Sequence, residues 1–176
     1  MSIFGSKESV KDKKSLVIYF SRADENYAVG NIEKGNTEVI AEYIQDITGA
    51  DLFKVEPAKP FSKNYRECCR EAMEEQRQNA RPVLKKYLED ISNYEVIYIG
   101  APIYCGTMPM CMFTQLEKLD FAGKIIKVFT THEGSGLGNV VSDVKKICRG
   151  AKVLDSLAIR GSMVYESKEK VKDWIK

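Results

Sequence analysis

Leu16-Val17-Ile18-Tyr19-Phe20 is an uninterrupted apolar run of β-branched and aromatic side chains, followed at once by Ser21-Arg22. A strand with one wet face alternates apolar with polar residues, so a run without alternation belongs to a strand covered on both faces. Val96-Ile-Tyr-Ile99 and Ile125-Ile-Lys-Val-Phe129 repeat the pattern, and Leu52 to Val55 and Val153 to Ile159 are weaker versions. Between these runs the period becomes helical. Val39, Ile40, Tyr43, Ile44 and Ile47 share one face, and Gly49 is placed to stop that helix. Tyr65, Cys68, Cys69, Ala72, Met73 and Gln76 recur at i, i+3, i+4, with the adjacent cysteines read as core. A short helix is expected after Pro82, and Pro109 opens another carrying Phe113, Leu116 and Leu119. Val140, Val141, Val144, Ile147 and Cys148 make the next, and Lys168 to Lys176 the last. Five strands alternating with helices imply an α/β fold: one parallel sheet, doubly wound because right-handed crossovers place helices on both faces.

The chain of 176 residues is 44% hydrophobic and 30% charged, the balance of one globular domain. Lysine and arginine number 27 against 25 acidic residues, and the signs alternate along the chain, which gives no nucleic-acid groove. The apolar runs are far shorter than the roughly 20 residues that span a bilayer, so no membrane role is expected. Met1 to Lys14 is polar and lysine-rich without the apolar core of a signal peptide, and is read as a loose tail before a domain over 15–176. Five cysteines, an odd number without zinc-type spacing, point to reduced thiols and a cytoplasmic protein without a metal.

In a doubly wound sheet ligands bind beyond the carboxyl ends of the strands, where strand order reverses. Three loops follow strong strands there: Ser21 to Thr37, Ala101 to Pro109 and Thr130 to Gly138. The first ends Gly35-Asn36-Thr37 at a helix start, where unpaired N–H groups and the helix dipole favour an anion. Gly30 to Thr37 approaches a nucleotide-triphosphate loop, but that motif needs lysine where Asn36 stands, so phosphoryl transfer is not expected. The plain alternative is a capped helix after an ordinary loop. In the second loop Tyr104, Cys105 and Gly106 stand side by side, where Tyr104 either stacks on a flat ligand or packs into the core. The third is glycine-rich and holds the single histidine, His132. A Ser135, His132 and Asp143 hydrolase is disfavoured, since Gly134-Ser135-Gly136 lacks the nucleophile-elbow spacing.

Tyr19-Phe-Ser-Arg22, Gly35-Asn-Thr37, Tyr104-Cys-Gly-Thr-Met-Pro109 and Thr131-His-Glu-Gly-Ser-Gly-Leu-Gly138, in that order, resemble the flavodoxin-like FMN-binding proteins from Lys14 onward. The resemblance implies sheet order 2-1-3-4-5 and one FMN per chain. It puts Ser21, Gly35, Asn36 and Thr37 at the FMN phosphate, with Arg22 adding a bidentate contact. The family's phosphate loop is usually continuous; here Ala23 to Lys34 interrupt it, like an insertion seen in one branch of the family. By the same resemblance Pro102, Ile103, Tyr104, Cys105, Gly106 and Thr107 flank one side of the isoalloxazine ring, and Thr131, His132, Glu133, Gly134 and Gly138 the other. Related proteins often carry tryptophan in the second loop, whereas Trp174 is the single tryptophan here, leaving any stacking to Tyr104.

The implied function is electron transfer between redox partner proteins, as a monomer or homodimer, with the flavin rather than side-chain acids performing the chemistry. The rivals are an NAD(P)H-dependent FMN reductase of quinones or similar small-molecule acceptors, and a non-redox phosphate-binding regulatory module. A sequence pI near 8.2 sets the chain apart from the acidic electron-carrying flavodoxins.

Overall fold

The computed structural model describes residues 9, 10 and 12–176. Most of the segment read as a loose tail lies outside the described residues. Within it, Val10 is buried against the core. Strand β1 (Ser15–Tyr19) is buried throughout, as its unbroken apolar run requires. The chain continues through a two-stranded hairpin, β2 (Asp24–Asn26) and β3 (Gly30–Ile32), then α1 (Asn36–Thr48), β4 (Asp51–Lys54) and α2 (Tyr65–Arg77). There follow β5 (Val96–Pro102), α3 (Met110–Leu116), β6 (Ile125–His132), α4 (Val140–Ile147), β7 (Lys152–Val153), β8 (Leu157–Arg160), a 3₁₀ helix (Gly161–Glu166) and α5 (Lys168–Ile175). The central sheet runs β4-β1-β5-β6-β7, all pairs parallel, with β8 also on β6. That is the expected 2-1-3-4-5 order.

Alternation along β1 sorts the core into two layers. Leu16, Ile18 and Phe20 meet Cys111, Met112, Leu116, Val140 and Val144 of α3 and α4. Val17 and Tyr19 meet Val39, Ile40 and Ile44 of α1 and Val171, Trp174 and Ile175 of α5. Gly49 ends α1 at φ +74 and donates its N–H to the Gln45 carbonyl. No helix among the described residues is long and apolar enough to cross a membrane.

Three local expectations change. The fifth strand is two short pieces, because Lys127 of β6, with a side chain 4% exposed, needs polar partners. Its ammonium finds the Asp155 carboxylate at 2.9 Å and the Trp174 carbonyl at 2.6 Å, which turns residues 155–156 out of the ladder after the Leu154 N–H has reached the Ile126 carbonyl at 2.8 Å. No helix follows Pro82. That stretch takes its hydrogen bonds from distant partners instead: Ala58 and Val83, Glu56 and Lys85, and the Gln115 amide holding both backbone groups of Leu88 at 2.9 Å. The Ala23 to Lys34 insertion contains the β2–β3 hairpin.

Candidate functional site

Beyond the carboxyl ends of β1, β5 and β6 the three loops converge on a cavity of about 320 Å³. Ser21, Arg22, Asn36 and Thr37 line it from the first loop, Pro102, Ile103, Tyr104 and Cys105 from the second, and Thr131, His132 and Glu133 from the third. Gly35, Gly106, Thr107, Gly134 and Gly138 stand outside the lining and shape the backbone behind it. Sequence reasoning missed one wall: Asn26 and Tyr27 of the insertion hairpin, and Tyr65, Cys68, Cys69 and Ala72 of α2. A signal was available, since Tyr65, Cys69 and Met73 form an i, i+4, i+8 stripe beside the Cys68, Ala72 stripe that α2 buries.

The polar end of the cavity is the start of α1. Gly35 precedes the helix and has no side chain to cap it, so Ser21 does this from across the loop, its hydroxyl accepting the Glu38 N–H at 3.0 Å. The Val39 N–H goes to the Gly35 carbonyl at 3.3 Å. Of the four N–H groups that begin the helix, those of Asn36 and Thr37 make no hydrogen bond among the described residues. A Cβ on Gly35 would lie 2.1 Å from Ser21 Oγ and 2.7 and 2.8 Å from the Arg22 carbonyl and amide. With φ at −64° its conformation is open to any residue; the space is what requires glycine. Thr37 Oγ1 and Thr131 Oγ1, both buried, share a hydrogen bond of 2.8 Å that ties the helix start to the end of β6.

Arg22 is committed elsewhere. Its guanidinium donates to the Ser62 carbonyl from Nε and Nη2, to the Lys63 carbonyl from Nη2, and to the Glu25 carbonyl from Nη1. Four of five N–H groups are thereby used, so in this arrangement one remains for an anion and a bidentate grip has no second donor. The same contacts fasten the insertion hairpin to the segment before α2. Glu25 completes the joint: its carboxylate accepts the Tyr65 N–H at 2.8 Å and the Asn64 amide at 3.2 Å, capping α2 with a negative charge. Gly30, at φ +70, belongs to this hairpin and not to a phosphate loop.

At the other end the cavity is aromatic and apolar. Tyr27, 63% exposed near the hairpin turn, lies 5.9 Å from the Tyr65 ring with 34° between the planes. Tyr104 reaches the lining, but its ring sits edge-on against Phe20 at 5.7 Å and Phe61 at 5.5 Å, and its hydroxyl accepts the Cys68 thiol at 3.7 Å. Burial raises the Tyr104 phenol well above its ordinary value, and raises the Cys68 thiol as well.

In the third loop the Gly134 N–H donates to His132 Nδ1 at 2.8 Å, so the neutral ring carries its proton on Nε2. Burial and then the nearby Arg160 charge lower the His132 pKa from 6.5. Its neutral form therefore favours folding: the contribution is complete above pH 6.5 and is lost as pH falls through the folded-state value. An NMR titration of the ring should show a midpoint below 6.5, and one above it would contradict this environment. Glu133 is engaged in structure, accepting the Ser162 N–H at 2.6 Å and lying 3.7 Å from Arg160. Asp143 accepts the Thr107 hydroxyl at 2.6 Å and His132 Nδ1 is filled by a backbone amide, so a hydrolytic triad is not assembled. Burial pushes Tyr65 up to about 12 and the Cys105 thiol upward, leaving these groups further from neutrality than usual.

A family model described as flavodoxin matches residues 14–176. No curated protein matches the chain. Among solved structures, a candidate flavoprotein of Bacteroides uniformis is 26% identical at a TM-score of 0.73, over 94% of this chain and 99% of that one. A flavoprotein of Lactobacillus acidophilus in complex with FMN is 21% identical at a TM-score of 0.63, over 93% and 99%. Oxidised flavodoxin 2 of Bacillus cereus is 19% identical at a TM-score of 0.50, over 92% and 99%. These last two show likeness of fold. The family match takes in every strand and helix from β1 to α5, and the chain belongs to the flavodoxin family.

Proposed function

We propose that this chain binds FMN non-covalently in the cavity and carries electrons between redox partner proteins in the cytoplasm. One observation carries the reading: a single cavity has an anion cradle at one end and an aromatic, apolar wall at the other. The donor set fits the group. Asn36 and Thr37 offer their N–H groups to a phosphate, Arg22 offers one more, and the dipole of the thirteen-residue α1 adds to them. Tyr27, Tyr65, Ile103 and Tyr104 provide surface for a flat ring. The bound flavin would supply one-electron and hydride chemistry. The protein's task is to hold it and exclude water, which suits lining phenols and thiols that stay protonated at neutral pH. The five free cysteines suit a reducing compartment. The FMN complex of the Lactobacillus relative supports the same cofactor.

The test is a calorimetric titration of apoprotein with FMN, FAD and riboflavin, repeated on Thr37→Val. With one anion cradle, FMN should bind more tightly than FAD. Loss of a hydroxyl that donates to a charged acceptor costs roughly 1.5 kcal/mol, so FMN affinity in Thr37→Val should fall about tenfold and riboflavin affinity should hold. Equal losses for both ligands would confine Thr37 to its bond with Thr131, and absence of FMN binding to the wild type would overturn the proposal. Bleaching of the bound flavin by NAD(P)H without a partner protein would make the chain a reductase instead.

A further inference from the structure

The third loop leaves β6 through a turn that one side chain holds closed. His132 is the last residue of the strand, and its Nδ1 accepts the Gly134 N–H at 2.8 Å. An acceptor two residues before the amide it serves is the pattern of asparagine and aspartate turns, filled here by a histidine. Downstream the Thr130 hydroxyl donates to the Gly136 carbonyl at 2.8 Å, and the Gly138 N–H to the Ser135 carbonyl at 3.2 Å. Of these fastenings only the first depends on an acceptor that titrates. The stretch it fixes is part of the cavity, which His132, Glu133 and Ser135 line.

Protonation of His132 would place a hydrogen on Nδ1, which then has no lone pair to offer Gly134. The backbone there has little stiffness of its own: Gly134 sits at φ +135, and a Cβ on it would meet nothing within 4 Å. The charges that act on the ring are those of Arg160, its partner in the β6–β8 register, Glu133 beside it, and Lys170 of α5. Burial first, then Arg160 and Lys170 against Glu133, favour the neutral ring, so the turn is closed at neutral pH and loses its acceptor in mild acid.

We propose that His132 is a positioning residue for the flavin: its neutral ring clasps the Gly134 turn and so holds the third-loop wall of the cavity in the form that takes the isoalloxazine ring, and protonation releases that wall. The ligand rests on the FMN reading; the clasp stands on the His132–Gly134 bond. Linkage fixes the signs. A flavin that needs the closed wall binds the neutral form more tightly, so bound flavin lowers the His132 midpoint further, and flavin affinity falls as pH drops through the midpoint of the free protein. A hydrogen bond between neutral groups corresponds to roughly a fivefold factor in an equilibrium constant. The flavin dissociation constant should therefore be steady around neutral pH and about fivefold higher once the ring is fully protonated.

The chain has a single histidine, so its ring signals in an NMR spectrum report the titration directly. The experiment titrates the ring in apoprotein and in the riboflavin complex, and follows riboflavin affinity by fluorescence from mildly alkaline pH down past the midpoint of the apoprotein. Riboflavin is the probe because a phosphate monoester such as FMN changes its own protonation at about pH 6. The complex should show a His132 midpoint lower than that of apoprotein by roughly 0.7 pH unit, the logarithm of the fivefold factor. His132→Asn keeps an acceptor for Gly134 that does not titrate, so its riboflavin affinity should be independent of pH. At neutral pH His132→Ala, which has no acceptor, should bind riboflavin about fivefold more weakly than His132→Asn. Should His132→Ala fail to fold, the pH profile of His132→Asn against that of the wild type decides. A midpoint that riboflavin leaves unmoved or raises, or a His132→Asn profile as steep as that of the wild type, would overturn the proposal. Failure of riboflavin and FMN to bind at any pH would overturn the FMN reading instead. The clasp is then judged in apoprotein, where the Gly134 amide signal should move with the ring titration in the wild type and not in His132→Asn; an amide that ignores the ring would overturn it.

Discussion

Gly35→Ala should lose FMN at least a hundredfold while keeping much of its affinity for riboflavin. The added Cβ would fall 2.1 Å from Ser21 Oγ, 2.7 Å from the Arg22 carbonyl and 2.8 Å from the Arg22 amide. A hydroxyl can rotate, but the Arg22 backbone lies at the end of β1 and is anchored through its guanidinium to residues 25, 62 and 63. The start of α1 must therefore back away from the first loop. Forcing a methyl into a packed site typically costs about 1–3 kcal/mol of stability. The larger loss is in binding, because the Asn36 and Thr37 N–H groups move with the helix start, and each hydrogen bond to a charged acceptor contributes roughly 1.5–3 kcal/mol. Two such bonds together amount to at least a hundredfold in dissociation constant. Titration of the variant with FMN and riboflavin, beside thermal unfolding, separates the two effects. Removing the hydroxyl as well, in Ser21→Ala/Gly35→Ala, should recover little, since the Arg22 backbone remains. Unchanged FMN affinity in Gly35→Ala would mean that the phosphate does not sit at this helix.

Legibility of the site in the sequence followed the range of the interactions that build it. The parallel sheet was readable because β1, β5 and β6 are buried on both faces, and burial on both faces writes itself into consecutive apolar residues. The start of α1 was readable for a similar reason, as Gly35-Asn36-Thr37 is contiguous and the N–H groups it leaves unpaired belong to the backbone. The split of the last strand was not, because it depends on Lys127 reaching Asp155 and Trp174, a contact across the fold that no local period records. Nor could the residues after Pro82 be placed from propensity, with Gln115 of α3 and the backbone of Glu56 and Ala58 supplying hydrogen bonds from afar. Arg22 illustrates the limit most clearly. A guanidinium beside a phosphate loop suggests an anion contact, yet it bonds the carbonyls of Ser62 and Lys63, far along the chain, and of Glu25 in the insertion, locking the insertion into the wall.

The insertion is also where the second large effect is expected, in Tyr27→Ala. The structure gives Tyr104 to the lining but builds its ring into a cluster with Phe20, Phe61 and Cys68, which ties it to the core. Tyr27 is different: it lines the cavity, is 63% exposed, and among the described residues has one ring neighbour, Tyr65. An exposed ring held at a rigid position gains most from a flat partner, because little conformational freedom is lost on stacking. The hairpin is rigid by construction, through Asn26 to the Arg22 and Ala23 carbonyls and through Glu25 to the start of α2. Stacking on a heteroaromatic ring contributes about 1–3 kcal/mol, taking the range for nucleic-acid bases. Tyr27→Ala should therefore weaken FMN and riboflavin together, by roughly ten- to a hundredfold, since both carry the same ring. Tyr27→Phe should restore most of the loss. Tyr104→Ala should behave in the opposite way, lowering the unfolding temperature by opening the cluster with Phe20 and Phe61, with a smaller change in flavin affinity per unit of stability lost. Binding isotherms for the three variants against both ligands, read beside their melting curves, assign the ring partner. A Tyr27→Ala protein that holds FMN as tightly as wild type, while Tyr104→Ala releases it without losing stability, would return the stacking role to the second loop.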